Sequence, residues 1–365
     1  LPHPPDWNHQ EYFLMTDFIY TNNPARVIFA AGSSQRVAEE LKALGCQRAL
    51  VLSTPAQRED AERLNDALGG LGVGVFAHAT MHTPVEVTEE ALRTYVEMRA
   101  DCVVAIGGGS TIGLGKAIAY RNDAPQVVVP TTYVGSEVTP ILGQTENGIK
   151  TTVSSPSILP EVVIYDPELT LGLPVAMSVT SALNAMAHAV EALYARNRNP
   201  ITSLMAVEGI RALKEALPGV VRQPECIATR STALYGSWLC GTVLGTVGMA
   251  LHHKLCHTLG GSFNLPHAET HAVMLPHTAA YNQVAAADAL RPVAELFGGQ
   301  LGSGLYDFAA ALGAPLALKD LGLNERDLDH VADLAVKNPY WNPRAVERDA
   351  IRALLQRAWS GQRPE

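Results

Sequence analysis

Between residue 26 and about residue 165 the chain alternates short apolar runs with amphipathic stretches, and past Asp166-Pro167 the short runs stop. Val27–Ala31, Ala49–Ser53, Val73–Ala77, Cys102–Ile106, Gln126–Val129 and Val162–Tyr165 read as buried strands. Gln35–Leu44, Ala56–Leu68, Glu86–Arg99 and Thr111–Tyr120 lie between them with helical periodicity. Strands this apolar on both sides need cover on both faces, so the alternation predicts a mostly parallel sheet between helices. The pattern is interrupted at Thr139–Val153, where Asn147-Gly148 is the dipeptide of a tight hairpin turn, a ribbon inserted on the open sheet. Pro174–Asn197, Pro200–Leu217, Ile227–Val247 and most of the remainder carry helix-period apolar residues. The expected fold class is an α/β N-terminal domain over 15–170 and an all-α C-terminal domain over 171–365, with the boundary around 167–173 and a cleft between.

The 365 residues are 47% hydrophobic and 17% charged, without an apolar run long enough to cross a bilayer. That predicts a soluble protein with no membrane role. A formal net charge of −9 argues against a general nucleic-acid binder. Cys46, Cys102, Cys226, Cys240 and Cys256 are odd in number, scattered and never in C-x-x-C spacing, which reads as free thiols in a reducing cytoplasm. The first fourteen residues, LPHPPDWNHQEYFL, carry neither a basic n-region nor a small-residue cleavage site. They read as a tag or disordered tail ahead of Met15.

Cys102–Ile106 runs through Gly107-Gly108-Gly109-Ser110 into a helical stretch. A strand, a glycine turn and a helix N-terminus together make an anion site, because backbone amides can approach a phosphate closely. The spacing matches neither G-x-G-x-x-G nor the P-loop. Pro130-Thr131-Thr132-Tyr133-Val134-Gly135-Ser136 follows the next strand and supplies hydroxyls where α/β ligands bind. Two such loops on neighbouring strand ends predict a dinucleotide. Ser53 ends an earlier strand at the position where an acidic residue would hold a ribose and repel a 2′-phosphate, so NADPH is expected to be accepted beside NADH.

Six of the twelve histidines fall between His252 and His277. Asn184 with His188, and His253 with His257, are i,i+4 pairs that share a helix face. His267 follows Pro266 and is expected on a loop or helix start, free to converge with them. His188, His253, His257 and His267 are assigned to one site, with His252 and His271 outside it or at the surface. Cys256, inside the cluster, reads as a buried structural thiol.

GGGSTIGLGKAIA, PTTYVGSEVTP, VIYDPEL, NAMAHAVEALY and HHKLCHTLGGSFNLPHA together resemble the iron-containing alcohol dehydrogenase superfamily, from residue 20 to the C-terminus. The resemblance implies a dinucleotide-binding α/β domain, a helical domain and a nicotinamide–substrate cleft. It implies that a metal, if present, would be held at Asn184, His188, His253 and His267, where metal-dependent members carry an Asp and three His. It also implies that His257 lies near the reacting carbon and that Lys150 reaches the cofactor ribose. Asn184 departs from the pattern, since a neutral amide brings no charge to a divalent ion. The shortened TTYVGSE loop and the NAMAHAVEALY helix resemble the maleylacetate reductase branch. That branch reduces a conjugated carbon–carbon double bond to give 3-oxoadipate in aromatic-compound breakdown.

Catalysis is accordingly expected from His257, His253, His188 and His267, with Asn184, Lys254 and Tyr133 on a small dicarboxylate substrate. The cofactor, NADH or NADPH, is expected on Ser53, Gly107, Gly108, Gly109, Ser110, Thr131, Thr132, Ser136 and Lys150, with no metal required and a homodimeric assembly. Hydride addition to an enone gives a delocalised enolate that hydrogen-bond donors can stabilise, whereas direct ketone reduction favours a metal Lewis acid. Three readings compete: a metal-dependent alcohol or polyol dehydrogenase, a lyase of the dehydroquinate synthase type, and a ligand binder without turnover. The lyase needs a basic phosphate pocket, and no Lys/Arg cluster stands beside the histidines.

Overall fold

A computed structural model describes Tyr20 and residues 25–365; the expected tail over 1–14 lies outside the described residues. The first region runs β1 (Arg26–Phe29), α1 (Val37–Ala43), β2 (Ala49–Leu52), α2 (Arg58–Ala67), β3 (Gly72–Phe76), α3 (Val85–Glu97), β4 (Cys102–Gly107), α4 (Gly109–Asn122) and β5 (Gln126–Pro130). It continues through β6 (Ile141–Glu146), β7 (Ile149–Ser154) and β8 (Val162–Tyr165). Six strands form one sheet in the order β1-β8-β5-β4-β2-β3, and every pairing in it is parallel. β2, β4, β5 and β8 are buried along their whole length. Their alternate residues feed two apolar layers, Val51, Val104 and Val127 on one face and Leu50, Leu52 and Val103 on the other. This is why the strands read as unbroken apolar runs. β6 and β7 pair antiparallel as a separate ribbon, and positive φ at both Asn147 and Gly148 (50° and 76°) gives the turn its hairpin twist.

After β8 the described chain is helical: α5 (Val175–Tyr194), α6 (Pro200–Arg222), α7 (Ile227–Leu244), α8 (Leu251–Phe263), α9 (His267–Gln283), α10 (Ala287–Leu296), α11 (Leu301–Ala311), α12 (Leu328–Val336) and α13 (Arg348–Ser360). α5 is buried over almost all its length and packs on α6, α7 and α9, so it forms the axis of the bundle. No helix among the described residues is long and apolar enough to cross a membrane.

Two contacts fix how the regions meet. Gly135 (φ 81°) lies so close to α7 that a Cβ there would stand 2.8 Å from the Gly241 Cα. Arg230, fully buried on α7, donates to the Tyr133 hydroxyl (3.2 Å), Ser178 Oγ (2.7 Å) and the Leu173 carbonyl (3.0 Å). Asp166 of the VIYDPEL motif accepts from the amides of Gly32, Ser34 and Glu168 at 3.0–3.1 Å. That motif is a clamp on the sheet's end, not part of the chemistry.

Candidate active site

The chain passes outward from β2 to β3, then returns to β4 on the other side of β2. Such a reversal opens a crevice at the carboxyl ends of the two strands. Ser53 follows β2 directly and Gly107 ends β4. A Cβ on Gly107 would lie 2.5 Å from Thr111 Oγ1, and one on Gly108 would lie 2.8 Å from Thr132 Cγ2. Only glycine therefore fits this turn. Thr111 and Ile112 donate to the Gly108 carbonyl, and the first-turn amides of α4, including Gly109 and Ser110, have no intrahelical acceptor. Thr131 and Thr132 border the same crevice: the Thr131 amide donates to the Gly107 carbonyl (3.1 Å), and Thr131 Oγ1 accepts from Gln57 (2.9 Å). The Thr132 hydroxyl is buried without a partner among the described residues.

Other cofactor expectations fare differently. Ser53 is fully buried at the end of β2, its hydroxyl also without a partner among the described residues. Ser136 offers its carbonyl to Lys116 Nζ, a buried ammonium that also donates to Thr139 and the Ile141 carbonyl. Burial lowers Lys116 to about 7, against the pull of Glu137. Lys150 lies in β7 opposite Thr145; its side chain is outside the described residues.

The second half of the site is a set of facing helices. Asn184, His188 and Glu191 recur at i, i+4 and i+7 on α5, so they share one face. α8 brings His252, His253 and His257, and α9 brings His267 at its first residue and His271 one turn later. His188 and His253 stack with ring centroids 5.2 Å apart, and His253 lies 5.8 Å from His257 and 5.2 Å from His271. His267 is 4.4 Å from His271. The four expected histidines come together. His271 joins them, contrary to the expectation of a peripheral place, because α9 turns it fully inward.

Hydrogen bonds fix where the ring protons sit. Glu191, buried, accepts from the amides of Ala250 (2.9 Å) and His252 (2.7 Å) and meets His253 Nδ1 at 2.5 Å. Burial raises its carboxyl, but His253 and the α8 amides outweigh that and hold it below the ordinary value. An ionised Glu191 takes the Nδ1 proton of His253 in a hydrogen bond, which leaves Nε2 bare. Thr278 Oγ1 donates to the Met274 carbonyl (2.9 Å), so it accepts from His252 Nδ1 (2.9 Å). His252 Nε2 then accepts from His271 Nδ1 (2.9 Å), and His271 Nε2 is left bare as well. Burial, reinforced by the neighbouring histidines, keeps His188 and His271 well below the ordinary imidazole value, hence neutral near pH 7. Asn184 is fully buried, and both its amide atoms lack partners among the described residues.

Ligand atoms of His188, His253 and His271 lie within 4.8 Å of one another. Three neutral imidazoles suit a divalent transition ion, with Glu191 and His252 orienting two of them from behind. Asn184 is too short of charge to replace the missing carboxylate.

His257 Nδ1 lies 3.2 Å from the Tyr340 hydroxyl, and Lys254 Nζ sits 5.7 Å from the Tyr340 ring centroid. Burial, then Glu191, raises Tyr340, so it stays protonated. Tyr340 comes from an aperiodic loop, which is why sequence reasoning missed it; Glu191 was legible in principle as the carboxylate three residues beyond His188. Tyr133 does not belong here. It is fully buried, with its hydroxyl between Arg230 and Thr170 (3.4 Å), which takes it out of the substrate pocket.

Known proteins bear the same architecture. The family described as Iron-containing alcohol dehydrogenase matches residues 24–167, and Fe-containing alcohol dehydrogenase family, C-terminal, matches 178–359. The maleylacetate reductase of Rhizobium sp. (strain MTP-10005) is 68% identical over 96% of this chain and all of its own length. That of Burkholderia cepacia is 54% identical over the same shares. The crystal structure of the Agrobacterium tumefaciens maleylacetate reductase superposes with a TM-score of 0.94 at 67% identity, over 96% of this chain and all of that one. The chain belongs to the iron-containing alcohol dehydrogenase family, in its maleylacetate reductase branch.

Proposed function

We propose that the cleft reduces the conjugated double bond of maleylacetate to 3-oxoadipate with hydride from NADH or NADPH, and that protein hydrogen bonds suffice to stabilise the enolate. One observation carries this reading: a fully buried Asn184, with donor and acceptor both unused, stands beside the imidazole group where a carboxylate would anchor an ion. Hydride adds to the alkene carbon β to the ketone and places negative charge on the enolate oxygen. Asn184 Nδ2, a buried donor without a partner among the described residues, is the proposed hydrogen-bond donor to that charge. A proton then adds to the carbon between, and the nicotinamide departs oxidised.

His257 is the proposed proton donor. As an imidazolium, His257 would donate Nδ1–H to the Tyr340 hydroxyl (3.2 Å) and present Nε2–H to the enolate carbon. His253, on the same face of α8, presents a bare Nε2 and would accept a hydrogen bond there and not supply the proton. Neutral His188 and His271 cannot serve as acids, and His188 with His267 is assigned to holding the substrate. Lys254 offers a cation to one carboxylate of the substrate, in keeping with a small dicarboxylate. The turn at Gly107–Ser110 with Thr131 and Thr132 holds the dinucleotide. A divalent ion, when bound, would be held by His188, His253 and His271, with His271 in the place the resemblance gives to His267, its neighbour at 4.4 Å between ring centroids, and would polarise a carbonyl oxygen as a Lewis acid. The proposed assembly is a homodimer.

The test is NADH oxidation by chelator-treated, metal-verified protein with maleylacetate. Turnover undiminished by metal removal supports the reading. Turnover only after iron or zinc is restored, together with oxidation of simple alcohols, returns the pocket to metal-dependent dehydrogenation. Asn184→Asp sharpens this: it should raise divalent-ion affinity by about tenfold or more while slowing reduction, read by competition titration and by kcat.

A further inference from the structure

At the opposite end of the sheet from the cleft, three side chains meet that the reaction does not use. Cys46 follows the left-handed turn at Gly45 that ends α1, and Cys102 opens β4, which the sheet register places beside Ala49 of β2. Asp101 precedes Cys102, and its carboxylate accepts from the amides of Gln47 and Arg48, both at 2.9 Å. The Asp101 amide returns a bond to the Arg48 carbonyl (2.9 Å), while the Arg48 guanidinium closes on the carbonyls of Met98 (2.7 Å) and Arg99 (2.8 Å). Both thiols are buried (6% and 1% exposed), Asp101 is exposed, and the two sulfurs and a carboxylate oxygen all lie within 4.8 Å of one another.

We propose that Cys46, Cys102 and Asp101 form a site for a thiophilic divalent cation of the zinc and cadmium class, with solvent completing the coordination on the Asp101 side. In a tetrahedral site with metal–sulfur bonds of about 2.3 Å and metal–oxygen bonds of about 2.1 Å, ligand atoms stand roughly 3.5–3.8 Å apart. The cluster therefore needs to contract by at most about 1 Å. Each Asp101 oxygen keeps a second lone pair after accepting its amide. Binding forms two metal–sulfur bonds and one metal–oxygen bond and releases both thiol protons to solvent, so affinity rises with pH.

The same geometry disfavours the other use of a cysteine pair, an internal disulfide. Forming one needs a free thiolate, and burial raises the Cys46 thiol, a hydrogen bond with Cys102 opposing that rise and the Asp101 charge adding to it; a cation also needs thiolates but offsets their deprotonation by binding them. A carboxylate that repels a thiolate attracts a cation. The cluster ties the end of α1 to the start of β4, an interior strand, so an ion there would brace the end of the sheet opposite the cleft.

The experiment is titration of the full-length, reduced chain with Cd²⁺ alone, following the thiolate-to-cadmium charge-transfer absorbance. In the imidazole pocket Cys256 Sγ lies within 4.8 Å of His252 and His271 nitrogens and would give cadmium a band of its own, so the titration is run in Cys256→Ser as well, where only the Cys46–Cys102 band remains. One equivalent is expected to saturate it; in that background Cys46→Ser and Cys102→Ser should each abolish it, and Asp101→Asn should weaken binding about tenfold. Retained reductase turnover confirms that the cysteine variants fold. Should either misfold, cadmium protection of Cys46 and Cys102 from alkylation in the unaltered chain, mapped by peptide mass, reads the same site. A band that survives either of these changes in the Cys256→Ser background overturns the proposal. So does the absence of a band at saturating cadmium in that background, or a Cys46–Cys102 disulfide in protein purified without reductant.

Discussion

The glycine turn at the end of β4 and the histidine pocket between α5, α8 and α9 do their work with opposite kinds of atom. At the turn the working groups are backbone amides, and side chains matter mainly by being absent: a methyl group on Gly107 or Gly108 would strike Thr111 or Thr132. In the pocket the working groups are side chains, and the protein leaves several of them unsatisfied. Asn184, His188 Nδ1, His253 Nε2 and His271 Nε2 are all buried without partners among the described residues. Unpaired buried polar groups cost about 1–3 kcal/mol each. The turn, too, leaves the Thr111 and Thr132 hydroxyls and the first-turn amides of α4 unpaired among the described residues, so both regions hold groups suited to a ligand, mainly backbone amides in one and side chains in the other. Substitutions in the two regions should consequently fail in different ways.

The largest effect is expected at His257. His257→Asn keeps a polar group of similar reach but removes the proton donor, which should lower kcat by about 10²- to 10⁴-fold. The NADH dissociation constant, measured by fluorescence titration, should not move. A loss of cofactor binding in this variant would erase the division between the regions.

Gly108→Val should give the mirror image. Overpacking against Thr132 costs about 1–3 kcal/mol; where that strain falls on the cofactor-bound turn, NADH binding is weakened by about five- to 140-fold. At saturating cofactor, kcat should stay close to that of the parent. A fall in kcat with unchanged binding would mean that the turn shapes the reacting centre and not merely the phosphate site.

The split also explains what was legible in the sequence. Strands β2, β4, β5 and β8 announced themselves because burial on both faces leaves no polar position to blur the run. The glycine turn was readable because the requirement for no side chain is itself a sequence signal. His188, His253 and His257 were found from helical spacing, which places side chains on a face. Spacing says nothing about how far a helix rotates that face inward, and so His271 was misplaced. Tyr133 failed for the converse reason: a loop hydroxyl beside the cofactor segment looks available until Arg230 is seen to occupy it. Tyr340 and the Cys46–Cys102 pair left no local pattern, because their partners are distant in the chain and only the packing of loops against helices or strands joins them.

Tyr340→Phe tests a smaller link within the pocket. The ring remains to pack against Lys254, and one hydrogen bond to His257 Nδ1 is lost. A bond of this kind contributes about 0.5–1.5 kcal/mol, so kcat should fall by about tenfold or less with KM unchanged. The limb of the pH–rate profile that reports His257 should shift as well. A change in KM alone would make Tyr340 a wall of the pocket and not a partner of its acid.

His277 should have the smallest effect on turnover, none at neutral pH, and separates chemistry from scaffold within the same helix. It lies on α9 beyond His271, is 2% exposed, and neither ring nitrogen has a partner among the described residues. Burial, then the nearby Arg357 charge, lowers it from 6.5 to about 4. In the unfolded chain the ring takes a proton near pH 6.5, while in the folded chain it resists until about pH 4, so between those values the unfolded state holds more protons. Stability from this residue is thus fully present above pH 6.5 and drains away as pH falls toward 4, by about 1.4 kcal/mol for each pH unit. His277→Met fills the same space without a titrating group. Its urea midpoint should exceed that of the parent by a margin that widens from pH 7 to pH 5, while turnover at neutral pH stays the same. A constant margin across that range would show that the imidazole finds a proton-accepting partner when charged, and a loss of turnover would enlarge the catalytic pocket to include the far end of α9.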